Sequence, residues 1–202
     1  MTRVRLAVVL GVVAALAVVT TVAVAVATYR GDDRKPDAEP LVVADPQTGA
    51  SFEVPAEDWE VRGSRSRIFY EGGGGQRVAE VTGPAVYDDG YCAERPGDSN
   101  RGFAGFTEQS YEAWLDALSG RRGAWTTGDQ RDRVVLADGT PAMLRWTGLM
   151  GGEGECAATG IEVAMVQAGH VRAVLVADSG DEGTLSHDDV RRILLTLRVR
   201  AS

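Results

Sequence analysis

The feature that most constrains this chain is an uncharged apolar run from Leu6 to Ala27, built from Leu, Ala and Val with one Gly and two Thr. As a helix its 22 residues span about 33 Å, enough for a hydrocarbon core about 30 Å thick. In lipid, a helix is how a single segment satisfies its own backbone. The run therefore predicts a transmembrane helix over 6–28. That leaves residues 1–5 on one side, a linker over 29–44 and a folded region over 45–202. Cleavage as a signal peptide is the alternative. Ala23-Val24-Ala25 and Ala25-Val26-Ala27 are small-x-small sites, but a signal core is about 7–15 residues, and the longer run favours an uncleaved signal anchor.

Arg3 and Arg5 flank one end of the run, and Arg30, Arg34 and Lys35 flank the other. Counting Lys and Arg leaves the orientation near a tie. The cysteines break it. There are two, Cys92 and Cys156, and a paired count suits an oxidising compartment. The expectation is a single-pass protein of the cell membrane, N-terminus in the cytoplasm and folded region outside. Bridging Cys92 to Cys156 would close a loop of about 65 residues, worth up to about 4 kcal/mol by loop entropy.

All 29 acidic side chains follow residue 30, against 19 basic ones after the run, a balance of −10. Such a body repels phosphate backbones, which excludes nucleic acid as a partner. Among the basic residues Lys35 is the one lysine beside 20 arginines, a usage that fits a GC-rich bacterial genome.

After the charged, Pro-containing linker, Asp45-Pro46-Gln47-Thr48-Gly49 reads as a turn. Ser51–Val54 alternates as a strand, and Arg67–Glu71 and Arg77–Thr82 read as strands around Gly72–Gly75. Ala85–Tyr87 and Phe103–Thr107 read as further short strands. Ser110 caps a helix that buries Tyr111, Trp114, Leu115 and Leu118 and stops at Gly120 or Gly123. Arg133–Leu136 and Ala142–Trp146 flank the Asp138-Gly139 turn. Ile161–Val166 and Val171–Ala177 flank Ala168-Gly169. Their parity groups Val163, Met165, Val171, Ala173 and Leu175 against Ala164, Val166, Val174 and Val176. Both faces are apolar, which predicts cover on both sides. Last, Ser186 and Asp189 form a capping box, with Leu185 and Val190 as staple, for a helix over 186–199.

Chemistry-bearing residues are few. Gly97-Asp98-Ser99-Asn100 has the Gly-Asp-Ser of one esterase class, but it lies in a mid-domain loop without a downstream Asp-x-x-His. Asp178-Ser179-Gly180 lacks the rest of a serine-protease signature. Gly72–Gly75 lacks the Lys-Ser/Thr of a phosphate loop. Asp178–Asp189 matches a calcium loop at Asp178 and Gly183 alone. His170 and His187 sit in separate elements and form no metal set with the cysteines. No cofactor is expected. Of Trp59, Trp114, Trp125 and Trp146, Trp114 reads as core, and Trp125, in a Gly-rich stretch, is the candidate for a ligand groove.

The order of these pieces matches a known type. Asp45–Gly49 precedes the aromatic strand, Val54-Pro55 and Trp59. Tyr91-Cys92 follows, then the Ser110–Gly120 helix, two Gly hairpins and the final amphipathic helix. Over roughly residues 41–202 the chain resembles the uncharacterised, membrane-anchored or secreted actinobacterial domains with a PsbP-like fold, the group that includes the LpqN-type lipoproteins. It departs from them in lacking a lipobox cysteine, and its Tyr-Cys pair has no spacer. The resemblance implies an antiparallel sheet between helices and a part in binding envelope partners or lipids. It carries over no catalytic residue. The expectation is thus an α+β domain, a mostly antiparallel sheet with helices on its faces, serving as a non-catalytic binding or accessory module for an envelope lipid or membrane-protein partner. The alternative is an envelope serine hydrolase using Ser99.

Overall fold

Two neighbouring strands that are apolar on both faces belong at the centre of three layers, because each face needs its own cover. A computed structural model describes residues 38–71, 77–92, 99–122, 125–150, 160–179 and 184–200. Within them lie β1 (Leu41–Ala44), β2 (Ser51–Val54), β3 (Trp59–Val61), β4 (Arg67–Glu71), β5 (Arg77–Tyr87), β6 (Gly102–Phe106), α1 (Tyr111–Arg122), β7 (Trp125–Thr126), β8 (Gln130–Val135), β9 (Pro141–Met150), β10 (Gly160–Ala168), β11 (Val171–Ser179) and α2 (His187–Leu195). One antiparallel sheet runs β3-β5-β6-β11-β10-β9-β7, with β4 also on β5 and β8 also on β9. β1 and β2 form a separate antiparallel pair. Each long outer strand carries two short ones in succession. β5 takes β4 along Arg77–Thr82 and β3 along Ala85–Tyr87. β9 takes β8 along Pro141–Trp146 and β7 at Leu149 and Met150.

β10 and β11 sit in the middle of this order, as their composition requires. Val163 faces Val176 and Met165 faces Val174. These four and Ile161 pack with Tyr111, Trp114, Ala117 and Leu118 of α1. On the opposite face Ala164, Val166, Ala173, Leu175 and Ala177 pack with Val190, Ile193 and Leu194 of α2 and with Val43, Phe52 and Val54 of the β1–β2 pair. Fully burying a Val, Leu or Ile side chain contributes about 1.5–3 kcal/mol, so these faces dominate the stability. The parity grouping of the sequence fails across the hairpin. The turn is Gly169-His170, not Ala168-Gly169, and an antiparallel pair about a two-residue turn sets odd positions opposite even ones.

Other differences have local causes. Arg77–Thr82 and Ala85–Tyr87 form one strand, β5, with a register shift between Thr82 and Ala85. Gly83 there has φ +53°, a bend that a strand absorbs as a bulge. The folded unit starts before residue 45. β1 lies inside the segment read as linker, and the compact unit begins at Glu39. The charges of the preceding residues hid four strand residues, of which one, Val43, is fully buried. The Ser110 hydroxyl accepts the Ala113 amide as expected, but Gly120 is inside α1, which runs to Arg122. The Ser186–Asp189 capping box is formed, and Leu185 joins the cluster of Val190. α2 ends at Leu195, short of Val199. The Thr196 hydroxyl donates to the Ile193 carbonyl at 2.7 Å and accepts the Glu53 amide at 2.7 Å, which turns the chain toward a bridge between Ser51 and Arg198.

Residues 1–37, which hold the expected membrane segment, lie outside the described residues. Among the described residues no helix is long and apolar enough to cross a membrane. Cys156, Gly72–Gly75, Asp98 and Gly183 also lie outside them.

Gly102 in β6 gives a direct test of the packing. A Cβ there would stand 2.8 Å from the Val176 carbonyl oxygen and 3.1 Å from Ala177 Cα. Both are backbone atoms of the central strand, so neither can step aside. Gly102→Ala is expected to destabilise the domain by about 1–3 kcal/mol, read by chemical denaturation; an unchanged midpoint would contradict this register.

Candidate functional site

The Asp-Pro-x-Thr-Gly stretch folds as the β1–β2 turn and forms one wall of a polar cleft. Asp45 Oδ1 accepts the Gln47 amide at 3.0 Å, and its Oδ2 accepts the Thr48 hydroxyl at 2.6 Å. Gly49 closes the turn with φ +70°, a conformation that glycine adopts without strain. The cleft has a volume of about 380 Å³. Asp45, Gln47 and Thr48 line it on this side; Arg67, Glu80 and Thr82 come from β4 and β5; Thr107, Glu108 and Gln109 come from the link between β6 and α1; His170 and Arg172 come from the β10–β11 turn. Thr82 pairs with Phe106, which belongs to the cluster on the α2 side of the sheet.

The far wall is a network built on Thr107. Its hydroxyl donates to Gln109 Oε1 at 2.7 Å and accepts the Gln109 amide at 3.2 Å and the Trp114 indole N–H at 3.1 Å. Gln109 Oε1 also accepts the Glu80 amide at 3.1 Å. Arg172 Nη1 donates to the Glu108 carbonyl at 2.8 Å, and the Arg172 carbonyl accepts the Thr107 amide at 3.1 Å. Arg67 is ion-paired with Glu80. The far wall is thus tied to β5, to β11 and to the buried Trp114, while the β1–β2 turn is braced by its own bonds.

A second polar cluster stands between α1 and the β8–β9 edge. Arg145 lies over the Tyr111 ring, 4.2 Å from its centroid, and pairs with Glu112 and, at 2.9 Å, with Asp129. The Arg145 hydrogen bond holds the Glu112 carboxyl below its usual range. Burial pushes Asp129 up, but the bonds from Arg145 and Arg131 outweigh it and hold that carboxyl low. Burial raises the Tyr111 phenol. These groups fix α1 to the sheet as permanent charges and a neutral phenol.

The residues singled out in the sequence are dispersed. Ser99 is buried; its Oγ accepts the Cys92 amide at 3.2 Å and its carbonyl accepts the Gly90 amide at 2.7 Å. It thereby holds Gly90 and Cys92 against Ser99. Cys92 is buried, and no free cysteine occurs among the described residues. His187 Nδ1 is 2.8 Å from Glu162 Oε1 at the start of α2, with its ring 5.0 Å from that of Trp146. His170 alone of these lines the cleft. Trp114 is fully buried core. Trp125 forms β7, paired with Met150; the groove expected of its side chain lies outside the described residues. Asp178 is the last residue but one of β11, close to residues that are not described. Gln109 and Arg172, two oriented donors of the cleft, carry no motif. They are 63 positions apart and meet through sheet pairing.

A family model described as "Domain of unknown function (DUF8017)" matches residues 34–201. The chain belongs to this family. The match includes β1 and every element through α2. No curated protein matches the chain. Among solved structures, the solution structure of cyanobacterial PsbP (CyanoP) from Synechocystis sp. PCC 6803 is similar, with a TM-score of 0.45 at 8% identity over 84% of this chain and 97% of that one.

Thr107→Val tests the far wall of the cleft. Valine keeps the shape but leaves the buried Trp114 indole N–H without its acceptor and removes one of the two bonds to Gln109 Oε1. The expected cost is about 1–3 kcal/mol, with a shifted indole N–H resonance; a variant as stable as the parent with that resonance unmoved would contradict the network.

Proposed function

We propose that this chain is a non-catalytic accessory module held at the outer side of the cell membrane by its N-terminal apolar segment, and that the cleft is where it engages an envelope partner. The anchor rests on the Leu6–Ala27 run. The outward orientation rests on the paired cysteine count, with Cys92 and Cys156 bridged. In the described bonds Ser99 Oγ meets the Cys92 amide and no histidine or carboxylate, and the His187–Glu162 pair meets no serine or cysteine, which favours binding over the hydrolase alternative.

The observation that carries the binding reading is the state of the cleft's own groups. Asp45 is committed to its turn and Glu80 to Arg67. Thr107 and the Gln109 carbonyl are committed to each other and to Trp114. A general acid or base must be able to exchange its proton with a substrate. Side chains that brace one another instead keep a recognition surface in one shape, which lowers the entropic cost of binding. The polar lining fits a headgroup or a protein surface better than an acyl chain.

Protease added to intact spheroplasts checks the arrangement. The expected result is digestion of the folded region, with the N-terminus retained in the membrane after an alkaline wash. A protected or freely soluble domain would contradict the anchor. An esterase activity lost on Ser99→Ala would replace the binding reading with the hydrolase.

A further inference from the structure

Two donors in the cleft are held by their far sides, which leaves their near sides available. Gln109 accepts two hydrogen bonds at Oε1, from the Glu80 amide and the Thr107 hydroxyl. This fixes the plane of its amide, and among the described residues its Nε2 has no partner. Arg172 spends Nη1 on the Glu108 carbonyl at 2.8 Å. Its Nε–Nη2 edge has no partner among the described residues, and no carboxylate there lies within ion-pair distance of it. Glu108 offers Arg172 a neutral acceptor, so the guanidinium charge is oriented but not neutralised. The chain segment runs from Thr107 to Gln109, and the Thr107 amide bonds the Arg172 carbonyl. Both donors therefore belong to one corner of the cleft, and both line it. His170, two residues before Arg172, lines it as well.

We propose that this corner is a carboxylate-binding subsite, with Arg172 taking the carboxylate through its Nε–Nη2 edge and Gln109 Nε2 supplying a further donor. The side-on guanidinium edge matches the two oxygens of a planar carboxylate with two parallel bonds. The other charged side chains of the cleft are Asp45, Glu108 and the Arg67–Glu80 pair. Asp45 is turned into its own loop, and neither it nor Glu108 is ion-paired with Arg172, so the corner offers a single unpaired guanidinium and room for one monoanion. The acidic surroundings, with a formal chain charge of −8, disfavour a polyanion. A monoanion on an otherwise uncharged ligand is the match, either a free small acid or the C-terminal carboxylate of a partner chain. The subsite rests on the reading of the cleft as a binding site and names the chemistry it recognises.

The test uses the full chain, isotope-labelled in detergent micelles, with three probes: acetate, N-acetyl-Ala-Ala, and the C-terminal amide of that dipeptide. The two acids should give saturable shifts at the backbone amides of Gln109, His170 and Arg172 and at the Gln109 side-chain amide, and the capped amide should not. Arg172→Gln should weaken binding roughly tenfold or more, as loss of a charged donor does. Gln109→Glu keeps an oxygen for the Glu80 amide and adds a repelling charge, so it should abolish binding with the rest of the spectrum unchanged. Acetate as tight as the dipeptide would assign the site to a free acid; a tighter dipeptide would assign it to a chain terminus. The capped amide binding as well as the acid, or both variants binding like the parent, would overturn the proposal. Neither result depends on where the protein sits, so a failed protease test leaves this one standing and the reverse also holds.

Discussion

Everything in this fold depends on the β10–β11 pair being apolar on both faces. A strand pair of that kind cannot lie at a solvent-facing surface, so each side must be covered by something that brings its own apolar stripe. α1 supplies Trp114 and Leu118 on one side, and α2 supplies Val190, Ile193 and Leu194 on the other. The second side is wider than one short helix, and the β1–β2 pair fills the remainder with Val43, Phe52 and Val54. The cleft follows from that division of labour. It lies where the β1–β2 turn meets the start of β4, the middle of β5 beside its register shift, the end of β6 and the β10–β11 turn. There the apolar cover ends and polar side chains take over.

The edges of the sheet solve a different problem. An exposed edge offers unpaired backbone groups to other chains. Here β5 and β9 each carry two short strands end to end, so the strands left at the edges, β3, β4, β7 and β8, are all short. β8 also carries Arg131, Asp132 and Arg133, charges that oppose further strand addition. Arg191 of α2 reaches Asp132 at 3.0 Å, and Arg145 of β9 reaches Glu112 of α1. Exposed pairs of this kind contribute little each. Their use is to tie both helices to the same edge of the sheet.

The elements with local signals were legible in the sequence. The Ser186–Asp189 box, the Asp138-Gly139 turn, the Ser110 cap and the two-faced apolar strands each state their structure within ten residues. What the sequence hid depends on partners far away. β1 is four residues whose only reason to be a strand is β2 and the α2 side of the core. The end of α2 is set by the Glu53 amide reaching Thr196 across 143 positions. The face grouping of β10 and β11 turned on a two-residue hairpin placing odd positions of one strand opposite even positions of the other. The candidate site was the least legible part. Asp45 to Gly49 read as a turn, and nothing marked Gln109 or Arg172, because their significance is created by the pairing of β6 with β11.

The central claim is that the β10–β11 pair is the most stable part of the molecule and that both covers depend on it. Native-state hydrogen exchange of the full chain, resolved by residue, measures this directly. Backbone amides of Val163 to Val166 and Ala173 to Val176 should exchange only through global unfolding, the slowest class in the protein, while β1 and β8 open locally and faster. Exchange of the β10–β11 amides at or above the rate of β8 would contradict the account.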